Sequence, residues 1–270
     1  MPRSDPAPAL SATPSAIARL GPPAGARLAV TGGCGGIGRA LVAAMLADGL
    51  EVAVLDLPAS IERHPPPPGV RVIALDATDE SAVTAAFADL GRAWQRLDGL
   101  VNLAGFARDR IPLADTRAAD WEEVIAGNLR STWLAARAAL PLLAQGSASS
   151  IVNTASGLAI RSTAGFGPYS AAKAGVLGLT RSLAIECAPA IRVNAIAPTA
   201  VDTAFLRGGT GRSDERAASQ IDLAAYVKNI PLGRVATPED VIGPILFLLG
   251  PAARYMTGQV LHINGGQLTP

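Results

Sequence analysis

The chain has 270 residues, a formal net charge of +1, 49% hydrophobic residues and 4% aromatic ones. That is enough apolar material for one large aliphatic core or two smaller ones, and no linker interrupts the pattern after residue 27, which favours one domain. The balanced charge gives no reason to expect nucleic acid or an anionic membrane as a partner. Two cysteines, Cys34 and Cys187, stand outside any C-x-x-C pair, and the two histidines, His64 and His262, lie far apart. No apolar run reaches the roughly 18 residues that span a bilayer. A soluble, cytoplasmic protein without a metal centre is expected.

Residues 1–24 are rich in Pro, Ala and Ser, lack the continuous apolar core of a secretion signal, and are expected to be a disordered tail ahead of a domain at 25–270. A short helix at Ser15–Leu20, packed on a neighbouring subunit, is the alternative. Arg27–Met45 then passes from an apolar run at Leu28–Val30 into a glycine cluster and an amphipathic helix starting near Ile37. That order can cradle a phosphate. Gly32, Gly36 and Gly38 fall where the backbone turns sharply and a ligand comes close, and the helix aims its free N–H groups at the anion. Glycines in such a turn can also serve packing alone.

Glu51–Asp56 reads as the second strand. Asp56 lies 18 residues after Gly38, where a dinucleotide-binding unit places the acid that accepts hydrogen bonds from the adenosine ribose. A carboxylate there repels a 2′-phosphate and no Arg or Lys follows directly, so NAD(H) is favoured over NADP(H); a plain turn cap is the alternative. Pro65–Pro68 forbid a long helix, leaving a short turn and a stiff extended segment before the third strand, Val70–Leu75, which Asp76 ends. Thr78–Leu90 has helical spacing with Thr78 as its cap, and Asp98–Leu103 is the fourth strand, running into Ala104 and Gly105.

Asp120–Leu143 is a long helical pattern with Asn128 inside it, which calls for a bend or a buried hydrogen bond unless the side chain is solvated. Ser150–Ser156 is a buried strand whose end carries small polar residues, where parallel sheets place ligands. Tyr169 follows 13 residues later, with Lys173 at i+4 on the same helix face. Ile191–Ile196 is the sixth strand, followed by Ala197, Pro198 and Thr199. Residues 204–230 are read as a substrate lid or an ordinary surface loop. Pro238–Asp240 open the last long helix, Val241–Leu249, and Gln259–Gly266 close the chain with a strand and turn.

The loop T-G-x-x-x-G-x-G at Thr31–Gly38, the run Asn102-Leu103-Ala104-Gly105, Asn128, Ser156, the pair Tyr169/Lys173 and the closing turn together resemble the short-chain dehydrogenase/reductase family, across residues 27–266. The resemblance implies a single-domain, Rossmann-type, doubly wound parallel sheet of seven strands with helices on both faces. It implies that Thr31, Gly32, Gly36, Ile37 and Gly38 hold the cofactor phosphates, Asp56 the ribose, and Asp76 with Ala77 the adenine. Asn102, Ala104 and Gly105 support the adenosine half, Pro198, Val201 and Thr203 the nicotinamide carboxamide, and Lys173 the nicotinamide ribose. Leu103 stands where the family has a second asparagine, and Thr199 where it usually has glycine. By analogy the helices containing Asn128 and Tyr169 pair across subunits, giving a homotetramer or homodimer.

The implied chemistry is hydride transfer between NAD(H) and a secondary alcohol or ketone. A free phenol, with a pKa near 10, is a weak base at neutral pH, and the Lys173 ammonium is expected to bring Tyr169 down so that it acts as acid and base. Ser156 would hold the substrate oxygen, and Asn128 a water leading from Lys173 to solvent. Phe106, Arg108, Leu158, Phe166, Thr199 and Phe205 are expected around a mostly apolar substrate with one anion-binding arginine. Alternatives are a 3-oxoacyl-(carrier protein) reductase using NADP(H), suggested by the PLGRVATPEDV segment but opposed by Asp56, a non-catalytic nucleotide sensor, and a lyase or isomerase.

Overall fold

The computed structural model describes residues 20–216, 218–219 and 221–269. Most of the expected tail and the alternative helix at Ser15–Leu20 therefore lie outside the described residues, while Leu20 and Gly21 run against Leu246 and Gly250.

Seven parallel strands form one sheet in the order β3-β2-β1-β4-β5-β6-β7. They are β1 (Arg27–Thr31), β2 (Glu51–Asp56), β3 (Arg71–Ala74), β4 (Gly99–Asn102), β5 (Ser149–Thr154), β6 (Ile191–Pro198) and β7 (Val260–Ile263). Side chains alternate across a strand, and the short apolar runs therefore feed two cores. Ala29, Ala53, Leu100, Ile151 and Val193 face one way, under α3 (Glu80–Trp94), α5 (Ser131–Leu143) and α6 (Gly167–Cys187). Leu28, Val30, Val54, Val101 and Val152 face the other, under α1 (Gly36–Ala47) and α8 (Pro238–Leu249). This is the doubly wound fold expected from the sequence. The strand order reverses between β1 and β4, so their C-terminal ends open the crevice where such sheets bind ligands.

Three local details differ from expectation. Between β2 and β3 stands a short helix, α2 (Pro58–Arg63), opened by Pro58 and stopped at His64 before the four prolines. Helix α3 is capped by Asp79, whose carboxylate accepts from the N–H groups of Ser81 and Ala82; Thr78 instead donates to Asp76. A carboxylate outcompetes a hydroxyl for a helix's first N–H groups. The long helical pattern resolves into α4 (Ala118–Ile125), one π-turn at Ala126–Arg130, and α5. Trp133 on α5 is 38% exposed, and the Arg137 guanidinium stacks 4.7 Å from its ring centre.

Polar side chains also cross the sheet in a buried relay. Thr31 Oγ1 donates to Asn102 Oδ1 (3.3 Å), Asn102 Nδ2 to Asn153 Oδ1 (2.9 Å), and Asn153 Nδ2 to Thr180 Oγ1 (3.0 Å). It ties β1, β4, β5 and α6 together directly behind the crevice. Asn153→Val should leave Asn102 without its acceptor and Thr180 without its donor, destabilising the protein by about 1–3 kcal/mol. Urea denaturation of the two proteins measures this, and an unchanged midpoint would count against the relay as a structural element. No helix among the described residues is long and apolar enough to cross a membrane.

Candidate active site

The first βα turn is shaped by what its glycines exclude. Gly32 takes a left-handed backbone (φ +72°), and a β-carbon there would lie 2.7 Å from the Ala104 nitrogen. A β-carbon at Gly38 would lie 2.4 Å from the Gly32 carbonyl oxygen, and one at Gly36 the same distance from Thr203 Cγ2. Gly38 therefore serves close packing of α1 on the loop, and Gly36 lets the segment after β6 fold over it. Helix α1 starts with Gly35 as its N-cap and has no side-chain cap. Its uncapped N–H groups and dipole face a cavity of about 550 Å³ walled by Gly32, Gly35, Gly36, Ile37 and Gly38.

At the end of β2, Asp56 Oδ2 accepts from the Cys34 N–H and Oδ1 from the Leu57 N–H, each at 2.8 Å. The carboxylate anchors the glycine loop and still borders the cavity with acceptor capacity to spare, since two oxygens offer about four lone-pair positions. Burial, with Asp56 beside it, pushes the Cys34 thiol up to about 12, so it stays protonated. Asp76, held by Thr78, and Ala77 form the next part of the wall. A glycine turn, an uncapped helix start and a carboxylate in sequence along one cleft fit the pyrophosphate and adenosine ribose of a dinucleotide.

At the other end of the cavity, Ser156 follows β5, and Tyr169 and Lys173 occupy successive turns at the start of α6; all three are buried. The Ser156 hydroxyl accepts from the Leu158 N–H (3.2 Å) and sits close enough to the Tyr169 phenol to lower its pKa. Lys173 Nζ donates to the Thr154 carbonyl (2.9 Å) and lies 5.7 Å from the Tyr169 ring centre. Asn128 sits in the π-turn, fully buried, with Nδ2 donating to the carbonyls of Phe106 (2.8 Å) and Val124 (2.9 Å). Its Oδ1 has no partner among the described residues. A β-carbon at Gly105 would touch both Asn128 Oδ1 (2.5 Å) and Lys173 Nζ (3.3 Å), so the unsatisfied acceptor and the amine flank one glycine. The bend and the buried hydrogen bonds that Asn128 called for are both present.

Burial pushes the Tyr169 phenol well above its usual pKa, and the Ser156 hydroxyl pulls it only partly back. The expectation that Lys173 lowers it is not met by these groups alone. The amine lies beside the ring and commits a donor to Thr154, while burial brings its own pKa down to about 8. Between pH 8 and the lysine's ordinary value of 10.5, the unfolded chain keeps a proton that the folded chain has lost, so stability rises with pH across that window. Above about 10 the raised phenol opposes this, because tyrosine then ionises more readily in the unfolded chain. From pH 8 to 10 the unmodified protein should therefore gain denaturant stability relative to Lys173→Met. A pH-independent difference between the two would refute the buried, destabilised ammonium.

Of the expected site residues, Thr31, Asn102 and Asn128 lie behind the cavity wall, the first two in the polar relay; the other cofactor and catalytic residues, with Phe106, Leu158, Phe166, Thr199 and Phe205, line it. Thr199 sits against Gly157, where a β-carbon would be 2.6 Å from its Cγ2. Phe205 packs tilted on Tyr169 at 5.8 Å between centres. Arg108 does not line this cavity: it is paired with Glu123 and Asp120 at a smaller pocket. Arg110, Arg161 and Arg212 line the cavity instead, as do Tyr226 and Gln267. The sequence carried no local signal for these, because packing of distant segments brings them in.

Residues after β6 close over both ends. Ser60 Oγ donates to the Thr210 carbonyl (3.2 Å), Arg63 to Ser213 O (2.8 Å), and His64 pairs with Glu215 (2.9 Å). On α7 (Leu223–Val227), the Tyr226 hydroxyl donates to Gln267 Oε1 (2.8 Å) and accepts from the Ala200 N–H (3.3 Å).

A family model described as enoyl-(acyl carrier protein) reductase matches residues 32–267. The chain is 34% identical over 245 residues to a 3-oxoacyl-(acyl carrier protein) reductase of Aquifex aeolicus, covering 88% of this chain and 95% of that one. It is 35% identical over 243 residues to a cis-4-hydroxycyclohexanecarboxylate dehydrogenase of Sinomonas cyclohexanicum, covering 88% and 94%. Its fold superposes, with a TM-score of 0.82 and 29% identity, on a Brucella melitensis structure described as a short-chain dehydrogenase/reductase of glucose/ribitol dehydrogenase type, covering 93% and 99%.

Proposed function

The chain belongs to the short-chain dehydrogenase/reductase family of oxidoreductases, and we propose that it moves a hydride between NAD(H) and a secondary alcohol or its ketone, with Tyr169 as acid and base. The observation that carries this reading is the shared cavity: a glycine-lined, uncapped helix start at one end and Ser156, Tyr169 and Lys173 together at the other. The nicotinamide nucleotide, when bound, supplies the hydride acceptor or donor. The chain's residues hold and protonate. The Gly32–Gly38 backbone grips the pyrophosphate and Asp56 the adenosine ribose, while Val201 and Thr203 border the nicotinamide end.

Ser156 orients the substrate oxygen toward Tyr169. Tyr169 takes the hydroxyl proton in oxidation and returns it in reduction. Lys173 is positioned for the nicotinamide ribose, and its proton route to solvent runs by way of Asn128 Oδ1, whose unmet acceptor suits one bridging water. The phenol's raised pKa makes cationic surroundings a requirement of the oxidative direction, and Lys173 is the cation beside its ring.

NAD(H) is favoured because Asp56 stands at the ribose position, while Arg110 and Arg161 of the wall come from the loops after β4 and β5 and Arg212, from the segment after β6, stacks on Phe106 and pairs with Glu123. The relatives' names put a 3-oxoacyl carbonyl and a ring hydroxyl in similar sites, both of them carbinol or ketone carbons. The test is NADH formation, followed by its absorbance, against secondary alcohols, hydroxy acids and sugars, with the ketones in reverse. A chain that binds NADH yet turns over none of these would be a sensor instead. A dimer or tetramer is proposed through α4–α5 and α6, where Trp133 and Ile185 (81% exposed) remain uncovered.

A further inference from the structure

The substrate end of the cavity is apolar in its walls but not in its charge. Phe106, Leu158, Phe166 and Phe205 pack around Tyr169, yet three guanidinium groups border the same space, those of Arg110, Arg161 and Arg212. The acids near them are largely committed. Asp222 caps α7 through the Ala225 N–H (3.0 Å), Glu123 is shared by Arg108 and Arg212, and Asp109 lines the smaller pocket. Arg212 is therefore partly neutralised and lies flat on Phe106, 4.1 Å from its ring centre.

Arg161 differs from the others. Its side chain has no hydrogen bond or ion pair among the described residues, although its backbone is fixed on both sides. The Arg161 N–H donates to the Gly157 carbonyl (3.0 Å), which sets the residue one helical turn beyond the loop bearing Ser156. Next to it, Ser162 Oγ donates to Ser170 Oγ (2.9 Å), which pins the segment to α6 one residue after Tyr169. The Arg161 side chain thus starts between the anchors of the two hydroxyls that would hold the reacting oxygen.

Arg110 reaches the same wall from the loop after β4. It stacks 5.6 Å over the Phe166 ring, donates to the Ala164 carbonyl (3.1 Å), and is joined to the 161–166 loop through the Ile111 N–H and the Gly165 carbonyl (3.1 Å). Neither arginine has an ion pair to a carboxylate among the described residues. Two exposed cations at the mouth of an apolar pocket, neither ion-paired among the described residues, offer a ligand anion charge-assisted hydrogen bonds, and a guanidinium presents a planar fork that a carboxylate matches.

We propose that the natural substrate carries a carboxylate, held by Arg161 with Arg110 while Ser156 and Tyr169 engage its alcohol or keto oxygen, and that Arg161 sets this specificity. This rests on the oxidoreductase reading and narrows its substrate to hydroxy or oxo acids with a compact apolar body. Such an acid keeps its charge at the rim and its reacting carbon in the aromatic cluster, so a one-ring or short-chain spacer suits the site.

The test is calorimetric titration of the NADH-loaded protein with cyclohexanecarboxylate, cyclohexanecarboxamide and cyclohexyl phosphate, in unmodified protein, Arg161→Gln, Arg161→Lys and, as a surface control, Arg92→Gln. The carboxylate should bind about tenfold or more tightly than the carboxamide. That ratio should vanish in Arg161→Gln, return in part in Arg161→Lys and persist in Arg92→Gln. Equal affinity for acid and amide, no binding of either, or a ratio untouched by Arg161→Gln overturns the proposal, and tighter binding of the phosphate ester overturns its choice of anion. Failure to bind NADH, with selective carboxylate binding retained when the titration is run without nucleotide, would instead strike the oxidoreductase reading and leave the anion site standing.

Discussion

Tyr169→Phe should lower turnover by about 10³-fold or more while leaving NADH affinity within a few-fold of normal. The substitution removes one oxygen and keeps the ring that packs on Phe205 and lies beside Lys173, so the cavity wall survives. What disappears is the proton acceptor. Ser156 cannot replace it, since its hydroxyl is too weak a base at neutral pH and accepts from the Leu158 N–H, and Lys173 is directed to the Thr154 carbonyl. Steady-state rates with an active alcohol, set beside fluorescence titration with NADH, give the two numbers. Turnover near that of the unmodified protein would remove Tyr169 from the chemistry.

The second large effect concerns nucleotide choice. Asp56→Ala should shift the ratio of kcat/KM for NAD over NADP by about 10- to 100-fold toward NADP, since a carboxylate no longer faces the 2′-phosphate. Arg39, which now donates to the Cys34 carbonyl at 3.0 Å, lies on the same turn and becomes available to the phosphate. The carboxylate also holds the Cys34 and Leu57 N–H groups, so this variant should lose stability as well. Asp56→Asn separates the two effects, because its amide oxygen keeps an acceptor while the charge is gone. Equal use of both nucleotides by the unmodified protein would contradict the assignment of Asp56.

The sheet was legible because each strand carries a run of Val, Ile, Leu or Ala that must be buried on two faces, a requirement that few other structures satisfy. The ends of elements were less so. Thr78 and Asp79 both suit a cap, and only the geometry of the turn gives the role to Asp79. Asn128 advertised an irregularity without its kind, because a π-turn depends on how α4 and α5 pack against α6 rather than on any one residue. That the glycine loop, Ser156, Tyr169 and Lys173 share one cavity could be anticipated because their places depend on short spacings within single βα or helical units. The pocket's arginines could not. Arg108 and Arg110 are two residues apart, and whether a side chain meets Glu123 or the cavity is decided by partners far away in sequence. The effect of burial on the phenol was hidden for the same reason, since spacing reports neighbours along a helix but not the loss of water around them.

The stitching of residues 210–215 to α2 has a kinetic corollary. One flap is fastened near the adenosine pocket by Ser60, Arg63 and His64, and near the opposite mouth by Tyr226 and Gln267. A lid fastened in this way would have to swing before either reactant left, which would couple their coming and going in time. The outer fastenings include half-exposed ion pairs that open readily, whereas the proton-transfer groups are rigidly embedded. Unroofing, more than bond-making, is where such a molecule would set its pace.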